Sequence, residues 1–153
     1  MKIMDIFRKE YIIEELKART KRDVLAELSG VIIRDNGKID HELMINALLE
    51  REKLGSTGIG DGIAIPHGKL AGLEELIVSF GRSREGVEFD SMDGKPATLF
   101  FLLLAPESTT GLHLKALAKI SKMLKDNAFR KKLIEAKSKD ELYLIIADKD
   151  DAS

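Results

Sequence analysis

Cysteine is absent from this sequence, which removes disulfides, thiolate nucleophiles and cysteine-based zinc sites and suits a reducing cytosol. Net charge is nearly absent as well. The 25 Lys and Arg residues almost balance 26 Asp and Glu, so no global field holds nucleic acid or an anionic membrane, and a charged partner must be recognised locally. Long hydrophobic runs are missing too: the longest, Leu99 to Ala105, falls far short of a bilayer span. The opening segment, MKIMDIFRKE, carries charges where a signal peptide needs an apolar core. These absences predict a soluble, cytoplasmic protein with no nucleic-acid partner and no membrane insertion of its own.

Several motifs also fail, which narrows the chemistry. The glycine run around Gly58 and Gly60 follows a helical pattern and leads into a strand, the reverse of a dinucleotide-binding turn, and Gly68-Lys69-Leu70 lacks the hydroxyl that ends a P-loop. His41-Glu42 begins like a zinc-protease helix, but Ile45 stands where the second ligand belongs. Gly81 to Gly86, GRSREG, misses a nucleophile elbow by one residue. Neither metal nor cofactor is called for.

What is present reads as one domain over residues 1–148, followed by a frayed tail at 149–153, in a chain of 153 residues that can bury roughly 70% of its unfolded surface. Tyr11 to Ile13 is a β-prone entry and a candidate edge strand. Thr20 caps a helix to about Asp35, with Val24, Leu25, Leu28, Val31 and Ile32 on one face and Asn36-Gly37 ending it. Asp40 caps a second helix with Leu43, Ala47, Leu48 and Arg51 at helical spacing. Leu76 to Phe80 reads as a strand, Val87 and Phe89 as a further extended piece, and Asp93-Gly94 as a turn. Thr98 to Leu104 is apolar on both faces, the mark of a central strand covered on both sides.

A helix from Gly111 to Lys125 follows, with Leu114, Leu117, Ala118, Ile120, Ser121 and Leu124 inward. Its Lys115, Lys119 and Lys122 share one face, which reads as solvated or as a docking surface for an acidic partner. Phe129 to Ala136 makes a short helix, and a Ser138/Glu141 capping box opens the last one, carrying Leu142, Leu144, Ile145 and Ile146. Strand, two helices, several strands and three helices is not a βα repeat. It predicts an α/β fold, a three-layer α/β/α sandwich with a mixed parallel and antiparallel sheet.

The stretch Leu54 to Leu70, LGSTGIGDGIAIPHGKL, organises the rest. Gly55, Gly58, Gly60 and Gly62 lie within eight residues, an entropic cost that points to backbone brought close to a ligand. Ile63 to Ile65 read as a small strand stopped by Pro66, which presents His67 with Gly68 beyond it so that a bulky group can reach the ring. Of the three histidines, His41 sits among charges at a helix start and needs no special role. His113 lies in the first turn of a helix, where the dipole favours a neutral ring.

These residues resemble the fructose/mannitol-type (type 2) enzyme IIA domains of the bacterial phosphoenolpyruvate-dependent sugar phosphotransferase system. Glu52, then Ile59-Gly60, then Ile63-Ala64-Ile65-Pro66-His67-Gly68 satisfy that family's signature at every position, and the likeness extends from about Met4 to Ala147. The resemblance implies a phosphotransferase in which His67 accepts a phosphoryl group from the histidine-containing phosphocarrier protein, on the ring nitrogen farther from the backbone, and passes it on. It places Arg51 and His113 beside that imidazole.

The chemistry agrees. A neutral imidazole is a competent nucleophile, and phosphoryl transfer asks mainly for positioning and for donors to the equatorial oxygens. Arg51 offers a planar fork. The hydroxyls of Ser56 and Thr57, backbone N–H groups from Gly58 to Gly62 (Gly58 and Gly60 among them), the open approach at Gly68 and the N-terminus of the His113 helix are the further candidates. The wording of the glycine stretch leans toward the nitrogen-regulatory branch. Alternatives are a fructose- or mannitol-specific component that hands its phosphoryl group to enzyme IIB, and a binding module in which phosphorylation sets the affinity for a kinase or transporter. A metal-dependent hydrolase using His67 and His113 is the remaining outsider.

Overall fold

The computed structural model describes residues 1–35 and 37–153. Its centre is strand β6 (Ala97–Pro106), buried at every position but Thr98, as expected of a strand covered on both faces. Strand β5 (Ile77–Val87) runs antiparallel along one side of it, with Val78 opposite Leu103, and β1 (Phe7–Ile13) lies parallel to β5 at the sheet edge. Along the other side run, in succession, β3 (Ile63–Ala64) and β4 (His67–Leu70), both parallel to β6. The short strand β2 (Gly58–Gly60) pairs antiparallel with β3. Pro66, which has no N–H, fills the break between β3 and β4 and accepts from Leu103 N through its carbonyl at 2.9 Å.

Side chains alternate across the sheet, and β5 shows where each face goes. Ser79 donates to the Leu28 carbonyl at 3.0 Å, so this face meets α1 (Lys21–Asp35), with α2 (His41–Lys53) beside it. Phe80 points the other way onto Phe101, ring centroids 4.9 Å apart, and Phe7 stacks on Tyr143 of α5 (Lys139–Asp151). Helices α3 (Leu112–Leu124) and α4 (Asn127–Glu135) pack on this second face. The three-layer sandwich with a mixed sheet therefore stands as expected. So do the caps: Thr20, Asp40 and Ser138 accept from Asp23 N, Glu42 N and Glu141 N respectively. The capping box closes only halfway, because Glu141 reaches Lys137 N rather than Ser138 N.

Three expectations change. The piece from Leu76 to Phe89 is one strand through Val87, not two. The polar run GRSREG belongs to it because Arg82, 1% exposed, donates to the carbonyls of Leu133 and Ala136 at the end of α4, both at 2.7 Å. The inward faces of the helices are rotated: Leu43, Leu114, Ala118 and Leu144 are exposed, while Met44, Ile45, Ala116 and Met123 are buried. The tail at 149–153 is not frayed at its start. Helix α5 runs to Asp151, and the fully buried Asp150 carboxylate accepts from Ile3 N and Met4 N at 3.0 Å and pairs with Lys119 at 2.7 Å. Of the Asn36-Gly37 helix stop, Asn36 lies outside the described residues.

Candidate phosphoryl-transfer site

Helix α2, strand β4 and the start of α3 enclose an open cavity of about 450 Å³ that contains His67, Arg51, Gly68 and His113. Leu54 and Leu114, 85% and 60% exposed, form part of its wall, so the approach to the imidazole is apolar. A Cβ at Gly68 would lie 3.5 Å from the Ala47 backbone, in ordinary contact; the glycine keeps the wall between β4 and α2 thin.

His67 is the first residue of β4, half-buried, and its two ring nitrogens have different partners. Nδ1 lies 2.8 Å from the Ile65 carbonyl, which only accepts, so Nδ1 carries the proton. Nε2 lies 3.2 Å from Arg51 Nε, which only donates, so Nε2 presents its lone pair. Burial holds the imidazole below the ordinary histidine range. Arg51 and His113 push in the same direction, and the Ile65 carbonyl and the Glu52 carboxylate oppose them only in part. The site thus favours a neutral ring with a free electron pair on Nε2.

Arg51 sits in the last turn of α2. Its Nη1 donates to Gly55 O at 2.8 Å, which anchors the guanidinium while Nε faces the imidazole. His113, in the first turn of α3, lines the same cavity. Its Nδ1 is buried without a hydrogen-bond partner among the described residues. Burial, then the charge of Lys69 on β4, keeps its pKa low. Gly111 caps α3 without a side-chain bond, which leaves the first N–H groups of this helix open to an anion.

Ser56, Thr57, Gly58 and Gly60 do not line the cavity. Ser56 donates to Phe89 O at 2.7 Å and accepts from Gly58 N; Thr57 donates through both N–H and hydroxyl to the Glu52 carboxylate; Gly60 pairs with Ile63. The glycine stretch is a β-hairpin reversing at Asp61 and Gly62, with φ of 57° and 76°, rather than a phosphate cradle. Gly58 and Gly62 answer to packing: a Cβ on Gly58 would sit 2.4 Å from Ser91 Oγ and one on Gly62 2.9 Å from Thr98 Oγ1. His41 lies elsewhere, half-buried between α1 and α2, with Nε2 3.0 Å from Ser29 Oγ and 3.1 Å from Ala26 O. Of the three lysines on α3, Lys119 is held by Asp150 and Met1 O, leaving Lys115 and Lys122 exposed.

Sequence reading left Glu52 without a role, although the signature begins with it. Its partner Lys21, at 3.0 Å, lies 31 residues away and carried no signal.

An α/β sandwich that sets a neutral imidazole against a guanidinium in an open apolar cavity is the arrangement of a phosphotransfer protein. The chain belongs to the family described as phosphoenolpyruvate-dependent sugar phosphotransferase system, EIIA 2, whose model matches residues 5–149. It is 42% identical over 147 residues to a nitrogen regulatory protein of Bradyrhizobium diazoefficiens, covering 96% of this chain and 95% of that one. It is also 40% identical over 150 residues to the fructose-specific EIIABC component of Bacillus subtilis, covering 98% of this chain but 24% of that longer protein. The crystal structure of nitrogen regulatory protein IIA-Ntr from Neisseria meningitidis superposes with a TM-score of 0.87 at 37% identity, over 94% of this chain and 98% of that one. No helix among the described residues is long and apolar enough to cross a membrane.

Proposed function

We propose that this chain is a cytoplasmic phosphohistidine carrier of the nitrogen-regulatory branch, phosphorylated on His67 Nε2 by the histidine-containing phosphocarrier protein. The observation that carries the reading is the pair of hydrogen bonds that leaves Nδ1 protonated and Nε2 as the acceptor.

In the transfer, the Nε2 lone pair attacks phosphorus, the phosphorus–nitrogen bond to the donor imidazole breaks, and its electron pair returns to that donor ring. Nδ1 keeps its proton, and the Ile65 carbonyl stabilises the positive character the ring gains. Arg51 gives up its bond to Nε2 as the new bond forms and turns its fork to the phosphoryl oxygens, its Nη1 anchor on Gly55 keeping it within reach. The open N–H groups at the start of α3 and the neutral His113 face the same space and supply further donors. Gly68 keeps β4 close to Ala47 of α2 beside the ring, and Leu54 and Leu114 offer the apolar contact a partner protein needs. Ser56, Thr57, Gly58 and Gly60 support the loop behind the ring instead of touching the phosphoryl group.

Labelling from phosphoenolpyruvate with the two general phosphotransferase proteins tests this. His67→Ala should abolish acid-labile label and His41→Ala should retain it; label that survives His67→Ala overturns the reading. A second reading is transfer onward to an enzyme IIB for fructose or mannitol, favoured by the near-equal identity to the fructose-specific relative. Rapid chase of the label to one such acceptor would support transport. Label retained in its presence would support regulation, in which a kinase or transporter partner binds with an affinity set by phosphorylation.

A further inference from the structure

Glu52 takes no direct part in that transfer, yet its side chain is 4% exposed and its charge is paired. Oε1 accepts from Lys21 Nζ at 3.0 Å and from Thr57 N at 3.2 Å, and Oε2 accepts from the Thr57 hydroxyl. Lys21 is itself steadied by Asp90 at 3.2 Å and by the Phe89 ring, 4.8 Å from its centroid. Burying an ion pair is costly, and apolar residues of equal size commonly serve stability as well or better. A pair kept here calls for a role in geometry.

Two hydrogen-bonded arms leave Glu52, and both end on His67. Along the side-chain arm, the carboxylate holds Thr57, Thr57 O accepts from Ile65 N at 3.0 Å, and Ile65 O accepts from His67 Nδ1 at 2.8 Å. Along the backbone arm, Glu52 O accepts from Gly55 N at 3.1 Å and Gly55 O accepts from Arg51 Nη1 at 2.8 Å. The same guanidinium then reaches His67 Nε2. One residue thus connects to the partners of both ring nitrogens, by its carboxylate to one and by its backbone carbonyl to the other.

We infer that Glu52, its carboxylate held in place by Lys21, is a positioning residue that fixes the tautomer and orientation of His67 through the side-chain arm. The kinetic consequence rests on His67 being the phosphoryl acceptor; the structural one does not. The Glu52 charge also favours the imidazolium of His67, so its loss has a second, independent signature.

The test is imidazole ¹⁵N NMR on Glu52→Gln and Thr57→Val, with circular dichroism to establish folding and phosphoryl uptake measured in parallel. In Glu52→Gln, His67 should pass from a single Nδ1–H form to a mixture of tautomers, its titration midpoint should fall, and uptake should slow by about 10- to 100-fold. Thr57→Val, which keeps the carboxylate, should mix the tautomers with a smaller change in midpoint. A folded Glu52→Gln protein whose His67 stays wholly Nδ1–H and takes up phosphoryl at the wild-type rate overturns the inference. If that variant does not fold, a single Nδ1–H form in Thr57→Val overturns it instead. Wild-type protein that accepts no phosphoryl group while the variants still mix tautomers would remove the functional reading and support the positioning role.

Discussion

Replacing Arg51 by Lys keeps a positive charge at the end of α2 and removes the planar fork. The guanidinium makes two contacts, 3.2 Å to His67 Nε2 and 2.8 Å to Gly55 O, with different atoms; an ammonium, whose donors all sit on one nitrogen, cannot hold both directions at once. During transfer the fork's role is to donate to the phosphoryl oxygens, and one charge-assisted hydrogen bond contributes about 1.5–3 kcal/mol. Losing it should slow phosphoryl uptake by about 10- to 150-fold. The fold should hardly notice, since the side chain sits at the cavity edge, and the stability change should stay within about 1 kcal/mol.

Charge and shape can be separated with a second variant. Arg51 is among the groups that depress the His67 pKa, so Arg51→Met should raise the titration midpoint of His67, while Arg51→Lys should leave it near wild type and still transfer slowly. Single-turnover quench measurements give the rates and an NMR titration gives the midpoints. Wild-type rates in Arg51→Lys, or a His67 midpoint unmoved by Arg51→Met, would refute the reasoning.

The wild-type His67 ring should titrate below 6.5, because burial and Arg51 disfavour the charged form. A midpoint at or above that value would contradict the geometry. Since the folded pKa is the lower one, the unfolded chain binds more protons between the two values, so this group's share of stability is complete above 6.5 and is lost as pH falls through the folded pKa. Asp150→Ala should destabilise the protein by about 3–5 kcal/mol, because it leaves the Lys119 ammonium and the N–H groups of Ile3 and Met4 without their partner in a buried place. Thermal unfolding near neutral pH should drop by roughly 6–20 °C, whereas Lys2→Ala, which breaks the exposed pair with Asp151 and the ammonium's contacts to the Asp150 and Asp151 carbonyls, should change it by no more than about 1 kcal/mol, a few degrees. Burial alone would raise the Asp150 pKa, but Lys119 and the two backbone donors outweigh it and hold the carboxyl below its usual 3.8. Its contribution is therefore full above that value and fades only as pH falls through the lower folded one, and the variant should approach wild type in strong acid alone.

Local chemistry decided much of this protein, and the sequence carried it openly. Caps at Thr20, Asp40 and Ser138 act through neighbouring N–H groups. The central strand declares itself because Leu99 to Leu104 has no polar face to turn to water. His67 stands out because a proline that cannot continue the ladder precedes it and a glycine follows. Each of these is written within a few residues.

Tertiary structure decided what depends on partners far along the chain. A polar run became strand interior because Arg82 finds the end of α4, about 50 residues away. An acidic tail became helix because Asp150 finds the N-terminus. Two of the glycines that look like a phosphate cradle, Gly58 and Gly62, sit in a packed hairpin because Ser91 and Thr98 occupy the space their side chains would need. The same holds at the site. The sequence named His67 and Arg51, but which imidazole nitrogen keeps its lone pair depends on where the Ile65 carbonyl and the Arg51 guanidinium lie in space. A hydrogen bond is set by distance and direction, and only the folded chain supplies those.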